Sequence, residues 1–333
     1  MDSRSEETAS RKTQMPWQMS GSRLTPPTRI QENFAMTLTK DRSQRIRLAT
    51  RAVEDGRLFR VWRQLEAAEL HPVLIKGWST ARLYPDPDQR PLGDIDLCFS
   101  PDELPRALAL RSASVRDFAD TDYHEGVRDL PHRSWTEIFS RTLLVPVQGT
   151  TIRVLGLEDH LRLICRHMAR HGACSRRMLE DLAATLDALP EDFDWDECLR
   201  GDECESQWVL AFVALAGRLL GAQIQNPRIR ERAACPEWLV EDLPHIWNAW
   251  EVEHSFPNHT GGGWEALRYS WLNPVRASFC MGTLPRTRTK LAMTLAGFLC
   301  WRRLPTLALR PLRPLEHLLR GGVRRPRPEF HRT

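Results

Sequence analysis

The segment Gly93-Asp94-Ile95-Asp96-Leu97-Cys98-Phe99 constrains the fold more than any other stretch of this 333-residue chain. Its acidic and apolar residues alternate with period two. That pattern reads as a β-strand with Ile95 and Leu97 turned to a core, and with Asp94 and Asp96 sharing the opposite face. Two carboxylates on one face repel each other unless a positive charge lies between them. Such a strand has to be two-natured, packed on one side and facing a cation on the other.

The neighbouring sequence supplies partners for it. His71-Pro72-Val73-Leu74-Ile75-Lys76 reads as a short strand entered through proline and ended by Gly77, and residues 78–84 read as a helical turn stopped by Pro85. A helix is expected to begin near Pro101-Asp102-Glu103. A third strand falls within residues 115–126, with Asp122 and His124 on one side of the pleat and Tyr123 on the other. Residues 142–156 form two β-rich runs joined at Gln148-Gly149, a hairpin by composition. Ahead of the strands, Ile46, Val53, Leu58, Val61, Leu65 and Leu70 recur near helical spacing and predict one or two helices over residues 44–70, interrupted at Gly56. After Gly156 the period becomes helical and stays so to about Leu319.

These elements predict an α+β fold: a small mixed sheet with flanking helices, followed by a mainly helical region. The expected organisation is a disordered leader at 1–30, a core with N-terminal helices at 31–156, a helical domain at 157–319 and a basic tail at 320–333. Net charge is only +4, and the C-terminal residues 286–333 hold twelve Lys and Arg against two Glu. The basic character thus belongs to the C-terminus, a solvated end able to contact a polyanion or membrane surface. The apolar run Leu291–Trp301 is too short to cross a bilayer as a helix. Eight scattered cysteines without a C-x-x-C pair, and a start without an apolar stretch, lead to the expectation of reduced thiols in a cytoplasmic protein. Gly261-Gly262-Gly263 lacks the residues of a phosphate cradle and reads as a linker. The twelve tryptophans read as packing residues rather than base-stacking platforms.

A carboxylate pair on a strand suits a hard divalent cation, since Mg²⁺ takes carboxylate oxygens and leaves positions for water and substrate phosphates. A third carboxylate would allow a second ion, and two such ions can hold the attacking and leaving oxygens of a phosphoryl displacement. D-x-D alone is a common pattern. What strengthens it is the upstream strand, glycine and helix start, where free N–H groups, Lys76 and the Ser79 hydroxyl would suit a triphosphate, with Arg90 adding a cation. A haloacid-dehalogenase phosphatase would need D-x-D followed by x-[TV], and Cys98 stands in that last place.

The order strand, Lys76-Gly77, helix ending in Tyr84-Pro85-Asp86, then Arg90-Pro91-Leu92-Gly93-Asp94-Ile95-Asp96-Leu97 resembles the polymerase-β-type nucleotidyltransferase superfamily. It is most similar to the bacterial branch known as uncharacterised nucleotidyltransferases. The likeness extends through residues 121–142, through His167-x-x-x-His171-Gly172 and the later Asp181-Leu182, and to Trp271–Phe279, about residues 45 to 310 in all. The resemblance implies transfer of a nucleoside monophosphate from an NTP such as ATP, with Mg²⁺ or Mn²⁺ as cofactor. It makes Asp94 and Asp96 the first two metal ligands and gives Lys76 and Gly77 the triphosphate role. Asp122 is chosen as the third carboxylate, with Asp129 and Glu137 as competitors. Lys76 stands where the superfamily's turn usually has serine, so hydroxyl contact to phosphate falls to Ser79.

His160, His167 and His171 lie within about 40° of one another on a helix from Leu157. They border its apolar face, and the family resemblance favours His167 and His171 as lining the cleft. His124 reads as a contact beside the metal ligands, and Asp181 as an anchor for an Arg or His between two helices. Two other functions fit the same residues: a D-x-D glycosyltransferase, and a protein of this fold that binds nucleotide or a partner without turnover. The acceptor is left open by the sequence.

Overall fold

The alternation at 95–99 becomes the strand next to the centre of a five-stranded sheet. The computed structural model describes residues 29–255, 273–280, 282, 284 and 285. The leader, the glycine run, Leu291–Trp301 and the basic tail lie outside them, apart from the first residues of helix α1. Contacts divide the chain into two units, Met1–Ile46 and Arg47–Thr333. The first is helical over its described residues, and the second carries the sheet.

The strands are β1 (Val73–Ile75), β2 (Ile95–Phe99), β3 (Thr121–Glu125), β4 (Leu143–Val147) and β5 (Thr150–Val154), in the order β3-β2-β1-β5-β4. β1 runs antiparallel to β2 and parallel to β5, while β3 runs parallel to β2 and β4 antiparallel to β5. The sheet is therefore mixed, and the fold is α+β. Gln148 and Gly149, both at positive φ (45° and 81°), close the β4–β5 hairpin, as a two-residue turn matched to strand twist requires.

Each face of the sheet has its own core. Ile95, Leu97 and Phe99 of β2 pack with Leu58, Phe59, Val61, Trp62 and Leu65 of helix α1 (Arg29–Ala67) and with Ala107 of α3 (Leu104–Ala113). On the other face Val73, Ile75 and Cys98 join the helices after residue 156. Among these, α5 (Leu157–Arg170), α6 (Arg176–Asp187) and α8 (Glu203–Leu220) interdigitate through Leu161, Leu182 and Phe212. The shift to helical periodicity after Gly156 is thus a change of layer within one continuous core. Short helices α2 (Gly77–Ala81), α4 (Trp135–Ser140), α7 (Trp195–Cys198) and α9 (Pro227–Arg232), with α10 (Glu237–Ser255) and α11 (Pro274–Cys280), complete the α-helices of the described residues.

The N-terminal helix departs from expectation. It begins at Arg29 and passes through Gly56 without a break, while Ile46 and Val53 are exposed (56% and 73%). Interior glycine costs a helix only about 1 kcal/mol. The buried turns from Leu58 to Leu65 anchor it by tertiary packing, so spacing at 46 and 53 was no guide to the buried face.

His160 of α5 is fully buried, and neither ring nitrogen has a partner among the described residues. Burial, with the charges of Arg82 and Arg90 adding, lowers its pKa to about 3. The unfolded chain protonates this imidazole near its ordinary value of about 6.5 and the folded chain does not, so stability is lost as pH falls from about 6.5 toward 3. His160→Leu should flatten the acid limb of a stability–pH profile by up to about 1.4 kcal/mol per pH unit in that window, measured by denaturant titration between pH 7 and 4.

Among the described residues no helix is long and apolar enough to cross a membrane. The seven described cysteines are free thiols, four of them buried.

Candidate active site

The second face of β2 turns polar at its N-terminal end, and a cleft of about 490 Å³ opens there. Register explains why. Ile75 stands opposite Asp96, and Asp96 stands beside Asp122 on the parallel strand. Two residues on, His124 shares Asp122's side of the pleat, while Tyr123 packs behind the sheet against Phe99.

One ligand atom each from Asp96, Asp122 and His124 lies within 4.8 Å of the others. Two carboxylate oxygens and an imidazole nitrogen at that separation make a donor set able to hold a divalent cation. Asp96 is buried at 5% exposure. Its Oδ1 accepts hydrogen bonds from Lys76 Nζ (3.0 Å) and from His124 Nε2 (3.0 Å). Burial pushes the Asp96 carboxyl up, but His124 and the Lys76 ammonium outweigh it and hold the pKa below the usual carboxylate value.

Asp94 lines the same cleft but is exposed and stands outside the three-residue cluster. It precedes the first ladder residue, Ile95, so the strand's alternation begins one residue after it. Of the rivals to Asp122, Asp129 lines the cleft, but its carboxylate takes an ion pair from Arg170 and lies 3.8 Å from His167 Nδ1. Those partners overcome its burial and hold it well below the ordinary value. Glu137 does not line the cleft and pairs with Arg141 and Arg200.

Lys76 and Gly77 line the cleft at the β1–α2 turn, with Lys76 at φ 53°, ψ −148°. That region is nearly confined to glycine and costs other residues on the order of 1–3 kcal/mol. Ser79 is fully buried and absent from the cleft lining, and its Oγ has no partner among the described residues. Two residues past Gly77 a helical turn has carried the side chain about 200° round, so it points into the core, and the expected hydroxyl contact is not placed there.

Arg90 lines the cleft, but its guanidinium is engaged: Nε and Nη2 donate to the two oxygens of Asp181 at 2.8 and 2.9 Å. Tyr84 adds its hydroxyl to Asp181 at 2.7 Å. Asp181 thus anchors an arginine from the loop before β2.

His167 and His171 both line the cleft with ring centroids 4.3 Å apart, while His160 is sealed in the core. Burial, with the charges of His167 and Arg170 adding, lowers the His171 pKa to about 4, so this imidazole is neutral at pH 7. The chain can turn directly after it because Gly172 adopts φ 74°, with Gly172 N–H on Ala169 O (3.0 Å) and Ala173 N–H on Met168 O (2.7 Å). This pair of bonds is a Schellman end.

Arg128, after β3, and Arg177, in the first turn of α6, also line the cleft. Neither guanidinium has a hydrogen-bond or ion-pair partner among the described residues. Nothing in the local sequence pattern marks them, since each is one exposed arginine among many.

A family model described as uncharacterised nucleotidyltransferase matches residues 20–221, more than half of the chain. The chain belongs to that family. The matched span holds all five strands and the helices through α8, hence every residue that lines the cleft. It starts earlier than the expected residue 45 and stops short of residue 310, so Trp271–Phe279 lies outside it. No curated protein matches the chain, and neither does any solved structure.

Proposed function

We propose that the chain moves a nucleoside monophosphate from an NTP to an acceptor hydroxyl or phosphate and releases pyrophosphate. The reading is carried by one observation: in a member of a nucleotidyltransferase family, Asp96, Asp122 and His124 converge in a cleft that also presents Lys76, Arg128 and Arg177. A divalent cation, Mg²⁺ or Mn²⁺, would be held by Asp96 and Asp122 with His124, and by Asp94 at the rim. When bound, such an ion draws charge from the α-phosphate and lowers the pKa of an attacking hydroxyl.

The chain's own groups do the rest by positioning and charge. Lys76 and the two unpaired arginines supply positive charge for phosphates. The Arg90–Asp181 clasp fixes the loop that carries Asp94. Asp129 keeps Arg170 and His167 in place beside the cleft.

The test is to incubate the purified protein with each α-labelled NTP, Mg²⁺ or Mn²⁺ and cell extract. The expected result is a labelled acceptor and one pyrophosphate per label, dependent on the metal and on Asp96. Transfer from a sugar nucleotide without pyrophosphate would identify a glycosyltransferase instead. Metal-independent nucleotide binding with no transfer to any acceptor would mark a binding protein.

A further inference from the structure

Lys76 stands where a cation belongs. The Asp96 oxygen that would meet a metal ion already accepts from two donors, the Lys76 ammonium and the His124 Nε2–H, each at 3.0 Å. While His124 Nε2 is engaged with Asp96 it is not free to ligate, so an ion that takes both residues has first to break this contact. Asp96 is thus already matched by a positive charge, and a divalent ion entering the cluster competes with it.

We infer that Lys76 is a displaceable counter-ion: it holds Asp96 while the cleft is empty, yields Asp96 to an arriving divalent cation, and then turns its ammonium to the phosphates of the nucleotide. Metal and nucleotide would consequently bind with positive coupling. The nucleotide half of this rests on the nucleotidyl-transfer reading, whereas the competition at Asp96 does not.

Three observations support the inference. The first is the charge arrangement. Of the other cations that line the cleft, Arg90 is held by Asp181 and Arg170 by Asp129, while Arg128 and Arg177 make no ion pair among the described residues. Lys76 is the lining residue whose charge is spent on the metal cluster. The second is side-chain chemistry. An ammonium on a flexible four-carbon stem makes a single-point contact and can swing away, where a bidentate guanidinium would be locked. The Lys76 side chain is 23% exposed and can reorient into the cleft, whereas Asp96, at 7%, is fixed. The third is the backbone. A lysine at φ 53°, ψ −148° occupies a conformation suited to glycine, and strain of this kind persists where the surrounding structure imposes it at a working position.

The experiment titrates Mn²⁺ into the full chain without nucleotide and reads free Mn²⁺ by electron paramagnetic resonance. Lys76→Met should bind Mn²⁺ about tenfold more tightly than wild type, since a unit charge 3 Å from the ligand oxygen is removed. Lys76→Gly is the second variant. It suits the backbone, so it keeps the fold, and it should tighten Mn²⁺ binding likewise. Asp96→Asn should abolish this binding and so locates the site. Adding a non-hydrolysable NTP should raise the Mn²⁺ affinity of wild type severalfold, and the two Lys76 variants should lose most of that coupling. Unchanged or weaker Mn²⁺ binding in both variants, or nucleotide coupling that survives in them, overturns the inference. The two readings fail separately. Tightened binding in a protein that labels no acceptor sinks nucleotidyl transfer and leaves the competition standing; turnover with unaltered Mn²⁺ affinity does the reverse.

Discussion

Asp96→Asn should lower metal-dependent nucleotide transfer by at least about a thousandfold and leave the protein folded. Asp96 is the member of the cluster that accepts from both Lys76 and His124, and it is the buried one. Its amide counterpart loses the charge that would hold a cation, and removal of one strong electrostatic contact at a reacting centre costs about two to three orders of magnitude. Loss of the metal as well adds to that. Stability should move little, within about 1 kcal/mol. The ion pair is lost, but so is the cost of keeping a carboxylate out of water. Asp94→Asn gives the contrast. Asp94 is exposed at the rim and outside the three-residue cluster, so its loss should cost roughly ten- to a hundredfold, short of the full effect. Label transfer from an NTP and thermal unfolding of each variant check both statements; an Asp94 variant as inactive as the Asp96 variant would make Asp94 an equal ligand.

What could be read from the sequence was what local periodicity encodes. Alternation over 95–99 gave β2 its two faces, and alternation over 121–125 put Asp122 and His124 together, as the parallel register of β2 and β3 bears out. Gln148-Gly149 marked a turn because few residue pairs accept positive φ twice in succession. The cleft's charge pattern was less legible, because its pairings are set by tertiary contact. Arg90 sits 91 residues from Asp181, and no spacing rule relates them. Ser79 looked available because a helix start was read without its rotation, which turns that side chain into the core. Asp94 was paired with Asp96 by alternation alone, and alternation does not say at which residue the strand starts. His124 was recognised as a neighbour of the carboxylates, yet its distance to Asp96 depends on how far β3 is shifted along β2, which sequence alone does not state.

The same long-range pairing carries the second large effect. Asp181→Ala should destabilise the fold by about 3 kcal/mol, because it removes one partner from a nearly buried ion pair and leaves the other charge unmatched. Arg90 and Asp181 side chains are 11% and 12% exposed, and the fork of two parallel bonds is complete. Tyr84 loses its acceptor at the same time. Consequences should reach the cleft, since Arg90, Pro91, Leu92, Gly93 and Asp94 all line it and lie on the loop that Asp181 holds to α6. Freed from that hold, the loop samples more positions, so KM for the nucleotide should rise more than kcat falls. Arg90→Met combined with Asp181→Leu should recover much of the stability without recovering KM, because an apolar pair can replace a buried ion pair in packing but not in fixing the loop's geometry. Denaturant unfolding and steady-state kinetics on the three variants separate the terms, and a double variant that restores both quantities would show that packing alone, and no clasp, sets the loop.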